Sequence, residues 1–249
     1  MTAQITLSGA PLAAAAVGIG IWVFFGWCWM LSTMAQRASM VVHFGLVTTA
    51  AFAGGWGLSM VLGASGLSSI GAAIGGGTAL VVLAPFWTAS GRRALDVLVP
   101  GAIAGVSVAR LGCLFEGCDF GRLADGPMSV AYGPSSRAWE VHVLEYGLSI
   151  ESPVSLAVHP FGGYLAFWGL GCAVVGQWWR RRSGRAGSGA VVAAALFFGG
   201  GGAIEWLREP ATVARWTDGV SVYPAVYWTI AAAIIGGWTI LQYRLGARR

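Results

Sequence analysis

Residues 94–115 read ALDVLVPGAIAGVSVARLGCLF. An apolar run of about 20 residues is what ~30 Å of hydrocarbon demands, and at that depth only a helix satisfies its own backbone. The stretch is therefore expected to be a membrane-crossing helix. Gly101, Gly105 and Ala109 recur at four-residue spacing, a stripe of small side chains on which another backbone can pack closely. Arg110 is different in kind. It stands sixteen residues beyond Ala94, or ~24 Å of helix rise, near headgroup depth at the far end of the span. An intramembrane Arg is costly enough to point to function, the structural alternative being an ion pair with Glu205.

Six further stretches match this one in length: roughly 11–34, 41–63, 68–90, 155–179, 189–207 and 220–243. Composition agrees. Of 249 residues 56% are apolar and 10% charged, with a mean hydropathy of +0.69. A soluble surface needs about a quarter charged residues, so a soluble domain is excluded. The 13 Trp, 11 Phe and 6 Tyr exclude low-complexity disorder. The expectation is an all-α integral membrane protein, a single transmembrane domain over 1–249 with seven helices.

All 15 basic residues are Arg, against 10 acids. Without Lys there is no Schiff-base chemistry. With the N-terminus outside, Arg37, Arg92, Arg93, Arg180, Arg181, Arg182, Arg185, Arg244, Arg248 and Arg249 fall on the cytoplasmic side, and Arg122, Arg137, Arg208 and Arg215 outside. That bias predicts an N-out, C-in topology, and it accounts for the excess of charge without nucleic acid as a partner. The connection 116–154 then lies outside as an extracytoplasmic head insertion, with strands expected at Met128–Tyr132 and Trp139–Leu144, where apolar and polar residues alternate.

The same face should gather Arg110, His159, Tyr164, Glu205 and Arg208. An Arg-bearing pocket at outer headgroup level suits a phosphate-bearing lipid. The run Gly199-Gly200-Gly201-Gly202 suggests close approach by a ligand or a backbone. His43 is expected at an interface and His142 in a structural role. Cys28, Cys113, Cys118 and Cys172 match no zinc spacing, and no metal or cofactor is expected. Cys28 and Cys172 read as core residues. A Cys113–Cys118 disulfide requires the helix to end between them.

Residues 109–122, ARLGCLFEGCDFGR, resemble the signature of the prolipoprotein diacylglyceryl transferase family, which runs Gly-Arg-apolar-Gly-Asn-Phe-x-Asn-Gly-Glu-x-x-Gly-Arg. Arg110, Gly112, Gly117, Gly121 and Arg122 match it. Asp125-Gly126-Pro127-Met128-Ser129-Val130 is similar to the family's Thr-Asp-x-Pro-Trp-Gly-Val. His159-Pro160 with Tyr164 is similar to its His-Pro-Ser-Gln-Leu-Tyr, and Glu205 with Arg208 and Pro210 to its Glu-Phe-x-Arg-x-Pro-Asp. Order and spacing agree over about 94–224.

The resemblance implies seven N-out helices in a bacterial inner membrane. It also implies transfer of the diacylglyceryl group of phosphatidylglycerol to the lipobox Cys of a prolipoprotein peptide. Arg110 would hold the lipid phosphate, with Glu205 and Arg208 framing the pocket and Gly112, Gly117, Gly121, Arg122 and Tyr164 around it. The sequence departs from the family at four places. Gly75 stands where the family has the His of a His-Gly-Gly element, its proposed base, and Gly201 where it has a second essential Arg. Cys113 and Cys118 replace an Asn and a Glu. Two expectations follow: an active transferase whose base is His159 or Cys113, or a non-catalytic lipid-binding subunit that packs against partner membrane subunits.

Overall fold

A computed structural model describes residues 5–7, 10–32, 34–62, 69–87, 91–210 and 223–246. Each of the seven apolar stretches holds a helix: α1 (Ala10–Leu31), α2 (Met34–Leu62), α3 (Ser69–Trp87), α4 (Gly91–Glu116), α6 (Phe161–Ser183), α7 (Ser188–Ile204) and α8 (Tyr223–Gly246). Among the described residues three carry segments long and apolar enough to cross a membrane, Val41–Val61, Arg92–Glu116 and Ser188–Leu207, and Ala15–Leu31 is a shorter apolar segment. Large apolar side chains are turned outward along them: Trp22, Met60, Val61 and Phe167 are each about two-thirds or more exposed. Water would penalise such a surface, whereas lipid accepts it. Arg215, Arg248, Arg249 and the outer margins of several stretches lie outside the described residues.

The chain divides into two compact units. One comprises Ile21–Ala102 with Ala173–Ala193. Its core is Phe24, Cys28, Val47, Leu80, Ala94, Val97 and Leu98. Within it α2 and α3 cross backbone to backbone. A Cβ on Gly75 would fall on the Ala50 carbonyl oxygen, and one on Gly71 on that of Gly54. Pro100 sits inside α4 and has no N–H for the Asp96 carbonyl four residues earlier. Gln177 Nε2 donates to that carbonyl instead, at 2.7 Å. The Asp96 side chain, 2% exposed, accepts from the backbone N–H of Gly187 (2.7 Å) and Ala190 (3.0 Å). It thereby caps the start of α7, where N–H groups have no partner within the helix.

The other unit comprises residues 1–20, Ile103–Cys172 and Ala194–Arg249. It holds the head, built on Phe120, Val130, Tyr132, Ala138, Val141 and Val158. Strand β2 (Val130–Tyr132) lies within the expected strand and pairs in parallel with β1 (Ile5–Leu7), Ile5 opposite Val130. The second expected strand is a helix, α5 (Arg137–Tyr146). Ser136 accepts from Trp139 N at its start, and Gly147 closes it at φ +69°. Ala138, Val141 and His142 are its buried residues, an i, i+3, i+4 stripe that outweighs the apparent alternation. The fifth apolar stretch becomes helical only at Phe161, because residues 155–159 are drawn into the head: Ser155 N donates to Tyr132 O and Val158 N to Val130 O.

Candidate functional site

Three separated pieces of sequence meet through backbone hydrogen bonds. Phe120–Ala124 runs between the segment ending at His159 and the one after α7. Gly121 N donates to His159 O (3.1 Å), His159 N to Arg122 O (3.0 Å), Arg122 N to Leu207 O (2.7 Å) and Glu209 N to Phe120 O (3.1 Å). Only glycine fits at position 121, where a Cβ would lie 2.6 Å from His159 Cβ and 2.8 Å from Leu207 O. Gly117 ends α4 at φ +68°, with the Tyr132 ring against its Cα. Gly162 lets the start of α6 lie on the α4 backbone at Arg110 and Leu114.

This frame brings four charges together. Arg110 Nη1 donates to Asp119 Oδ2 at 2.8 Å, and Arg208 Nη1 donates to Asp119 Oδ1. Arg208 also grips Glu205 twice, Nε to Oε2 at 2.6 Å and Nη2 to Oε1 at 2.8 Å. The Arg110–Glu205 pair, the structural alternative for Arg110, is therefore corrected: Glu205 is taken by Arg208, its i, i+3 neighbour, and Asp119 is the carboxylate of Arg110. The Arg208 guanidinium lies 4.3 Å from the centroid of Phe161 and 5.3 Å from that of Tyr223. Burial alone would lower its pKa, but Asp119 and Glu205 more than offset this and hold it above its ordinary value. Two guanidiniums thus face two carboxylates, and the cluster is neutral.

The other expected residues divide. His159 Nδ1 and the Tyr164 hydroxyl are 3.3 Å apart. Cys113 lies beside Arg110, with Cys118 close to it. The helix does end between the two cysteines, and both are free thiols. Gly112 is buried on α4, whereas Arg122 contributes its backbone to the frame and its side chain is exposed. His142 is fully buried, accepts from Leu156 N at 3.1 Å and packs edge-on to Phe120 and Tyr146. Burial lowers its pKa below the usual histidine value, so it is a structural neutral imidazole. His43 is buried on α2.

Two residues that matter were not singled out from sequence. Asp119 was one acid among several in the head, and the need of an intramembrane Arg for a counterion was the signal that marked it. Tyr227 had none. Its ring stands on Gly201, where a Cβ would be 2.8 Å from it, and close enough to feel Arg110, Arg208, Glu205 and Asp119. The glycine run is a seat for rings: Trp168 lies on Gly200, Tyr227 on Gly201 and Trp228 on Gly202. The indoles of Trp168 and Trp228 donate to Leu196 O (3.1 Å) and Gly199 O (3.0 Å).

Apolar helices bearing a buried, ion-paired Arg cluster define a helical membrane protein. The model of the prolipoprotein diacylglyceryl transferase family matches residues 20–243, and the chain belongs to that family. It is also 35% identical over 79 residues to a phosphatidylglycerol–prolipoprotein diacylglyceryl transferase of Dehalococcoides mccartyi. That match covers 31% of this chain and 30% of the relative.

Proposed function

We propose that this protein binds a phosphatidylglycerol-type phospholipid at the outer face of a bacterial inner membrane and does not transfer its diacylglyceryl group. In this reading the chain is one transmembrane domain of seven helices, N-out and C-in, with residues 116–154 as the extracytoplasmic head. The observation that carries the lipid is the Arg110–Arg208 pair: two guanidiniums within reach of one carboxylate suit a phosphate equally well. Against transfer stand the positions of the family's base and second Arg. Gly75 lies in the α2–α3 crossing, where even a methyl group meets the Ala50 carbonyl, and the place beside Gly201 is filled by Tyr227. Losing a general base and a phosphate clamp together removes several kcal/mol of transition-state stabilisation. A retained lipid site without chemistry fits a subunit that packs against partner membrane proteins.

A transfer assay in nanodiscs tests this, with labelled phosphatidylglycerol and a lipobox peptide. The expected result is selectively bound phosphatidylglycerol, with the selectivity lost in Arg110→Gln, and no label on the peptide. Transfer by the wild type would overturn the non-catalytic reading and would make His159 and Cys113 the first candidates for its base.

A further inference from the structure

Resting on that lipid-binding reading, we infer that Asp119 occupies the place of the ligand's phosphate. Arg110 and Arg208 form an anion site that the protein fills with its own carboxylate until a phosphate mono- or diester replaces it.

The two oxygens of Asp119 go to different cations, Oδ2 to Arg110 and Oδ1 to Arg208. A phosphate spans two guanidiniums with two of its oxygens in the same way. The two carboxylates of the cluster are not equivalent. Glu205 has a side chain with no exposure and holds Arg208 through two parallel hydrogen bonds; it is the permanent counterion. Asp119 lies on the accessible side, its side chain 10% exposed and that of Arg110 17%. It also lies past the end of α4 and the left-handed Gly117, in a turn outside any helix. If Asp119 swings away, Arg208 stays oriented by Glu205 and by the Phe161 face.

Charge then decides between displacement and addition. With both carboxylates in place the cluster is neutral, and a phosphate diester added to it would leave one negative charge unpaired in a poorly hydrated site. Exchanging Asp119 for the diester preserves the balance. Asp119 therefore sets the threshold for the ligand: it rejects weakly held anions and yields to one whose acyl chains or contacts add binding energy.

The test compares the wild type with Asp119→Asn, which keeps shape and removes charge, and Asp119→Glu, which keeps charge. Binding is measured to nanodiscs of phosphatidylglycerol and of phosphatidylcholine, and to inorganic phosphate and glycerol 1-phosphate in detergent. Asp119→Asn is expected to bind phosphatidylglycerol at least about tenfold more tightly than the wild type, with Asp119→Glu unchanged. A gain confined to the nanodiscs identifies the anion as a lipid headgroup, and an equal gain for inorganic phosphate identifies a free phosphate. Binding by folded Asp119→Asn no tighter than the wild type overturns the inference. Asp119→Ser replaces it if Asp119→Asn does not elute and melt as a folded protein. Failure of the underlying reading looks different: the wild type then shows no preference for phosphatidylglycerol, and Arg110→Gln changes nothing. Binding by Asp119→Asn alone would still establish the anion site and Asp119 as its occupant.

Discussion

Asp96 and Asp119 are both buried carboxylates, 2% and 7% exposed, yet Asp96 is answered by the amides of Gly187 and Ala190 and Asp119 by the guanidiniums of Arg110 and Arg208. The amides are fixed by the start of α7 and leave no freedom, so Asp96 belongs to the fold. The guanidiniums end long side chains and can accept another anion in the same place. What marks a site is thus the nature of a buried acid's partners rather than its burial.

Four changes would break or sharpen that contrast. Arg208→Ala should have the largest effect, because it leaves Glu205 and Asp119 buried without their shared cation. Removing one partner of a buried pair costs about 3–5 kcal/mol, read as a fall in thermal stability in detergent. A melt within a degree of the wild type would show that the pairs are loosely hydrated. Asp96→Ala orphans the amides of Gly187 and Ala190; it should destabilise the protein less, by about 1–3 kcal/mol, while leaving lipid selectivity untouched. If selectivity changed instead, Asp96 would not be purely structural.

Gly75→Ala comes third. The methyl group meets the Ala50 carbonyl in the α2–α3 crossing, and overpacking of this sort costs about 1–3 kcal/mol. Gly75→His should be worse and should not create activity; transfer by that variant would refute the close crossing. The smallest effect is a pH dependence. His142 is buried neutral, with its folded pKa below the ordinary value near 6.5. On acidification the unfolded chain takes up this proton first. The stabilising contribution is therefore complete above about pH 6.5 and is lost as pH falls below it. His142→Asn should flatten the fall in melting temperature between about pH 7 and 5.

Apolar runs of membrane length placed every long helix, because lipid as solvent leaves the backbone few options. Their edges were less legible. Residues 155–159 are apolar enough to continue a span, but the N–H groups of Ser155, Leu156, Val158 and His159 are taken by β2 and the head. Trp139–Leu144 alternates as a strand would, and Ser136 and Gly147 mark a helix. The pairing of β1 with β2 joins segments more than 120 residues apart and leaves no local trace. In the site, Arg110, Glu205 and Arg208 were visible as charges inside or beside apolar spans. Their connections were not, since pairing Arg110 with Asp119 depends on a turn at Gly117. Tyr227 was hidden for a plainer reason: an aromatic residue in a membrane helix is unremarkable until a missing side chain at Gly201 makes room for it.

The most direct measurement is the lipid that stays on the purified protein, read by native mass spectrometry after exchange into an equimolar mixture of phosphatidylglycerol and phosphatidylcholine. The wild type should retain phosphatidylglycerol selectively, and Arg110→Gln should retain both lipids equally. Equal retention by the wild type, or selectivity that survives Arg110→Gln, would contradict a phosphate site built on Arg110.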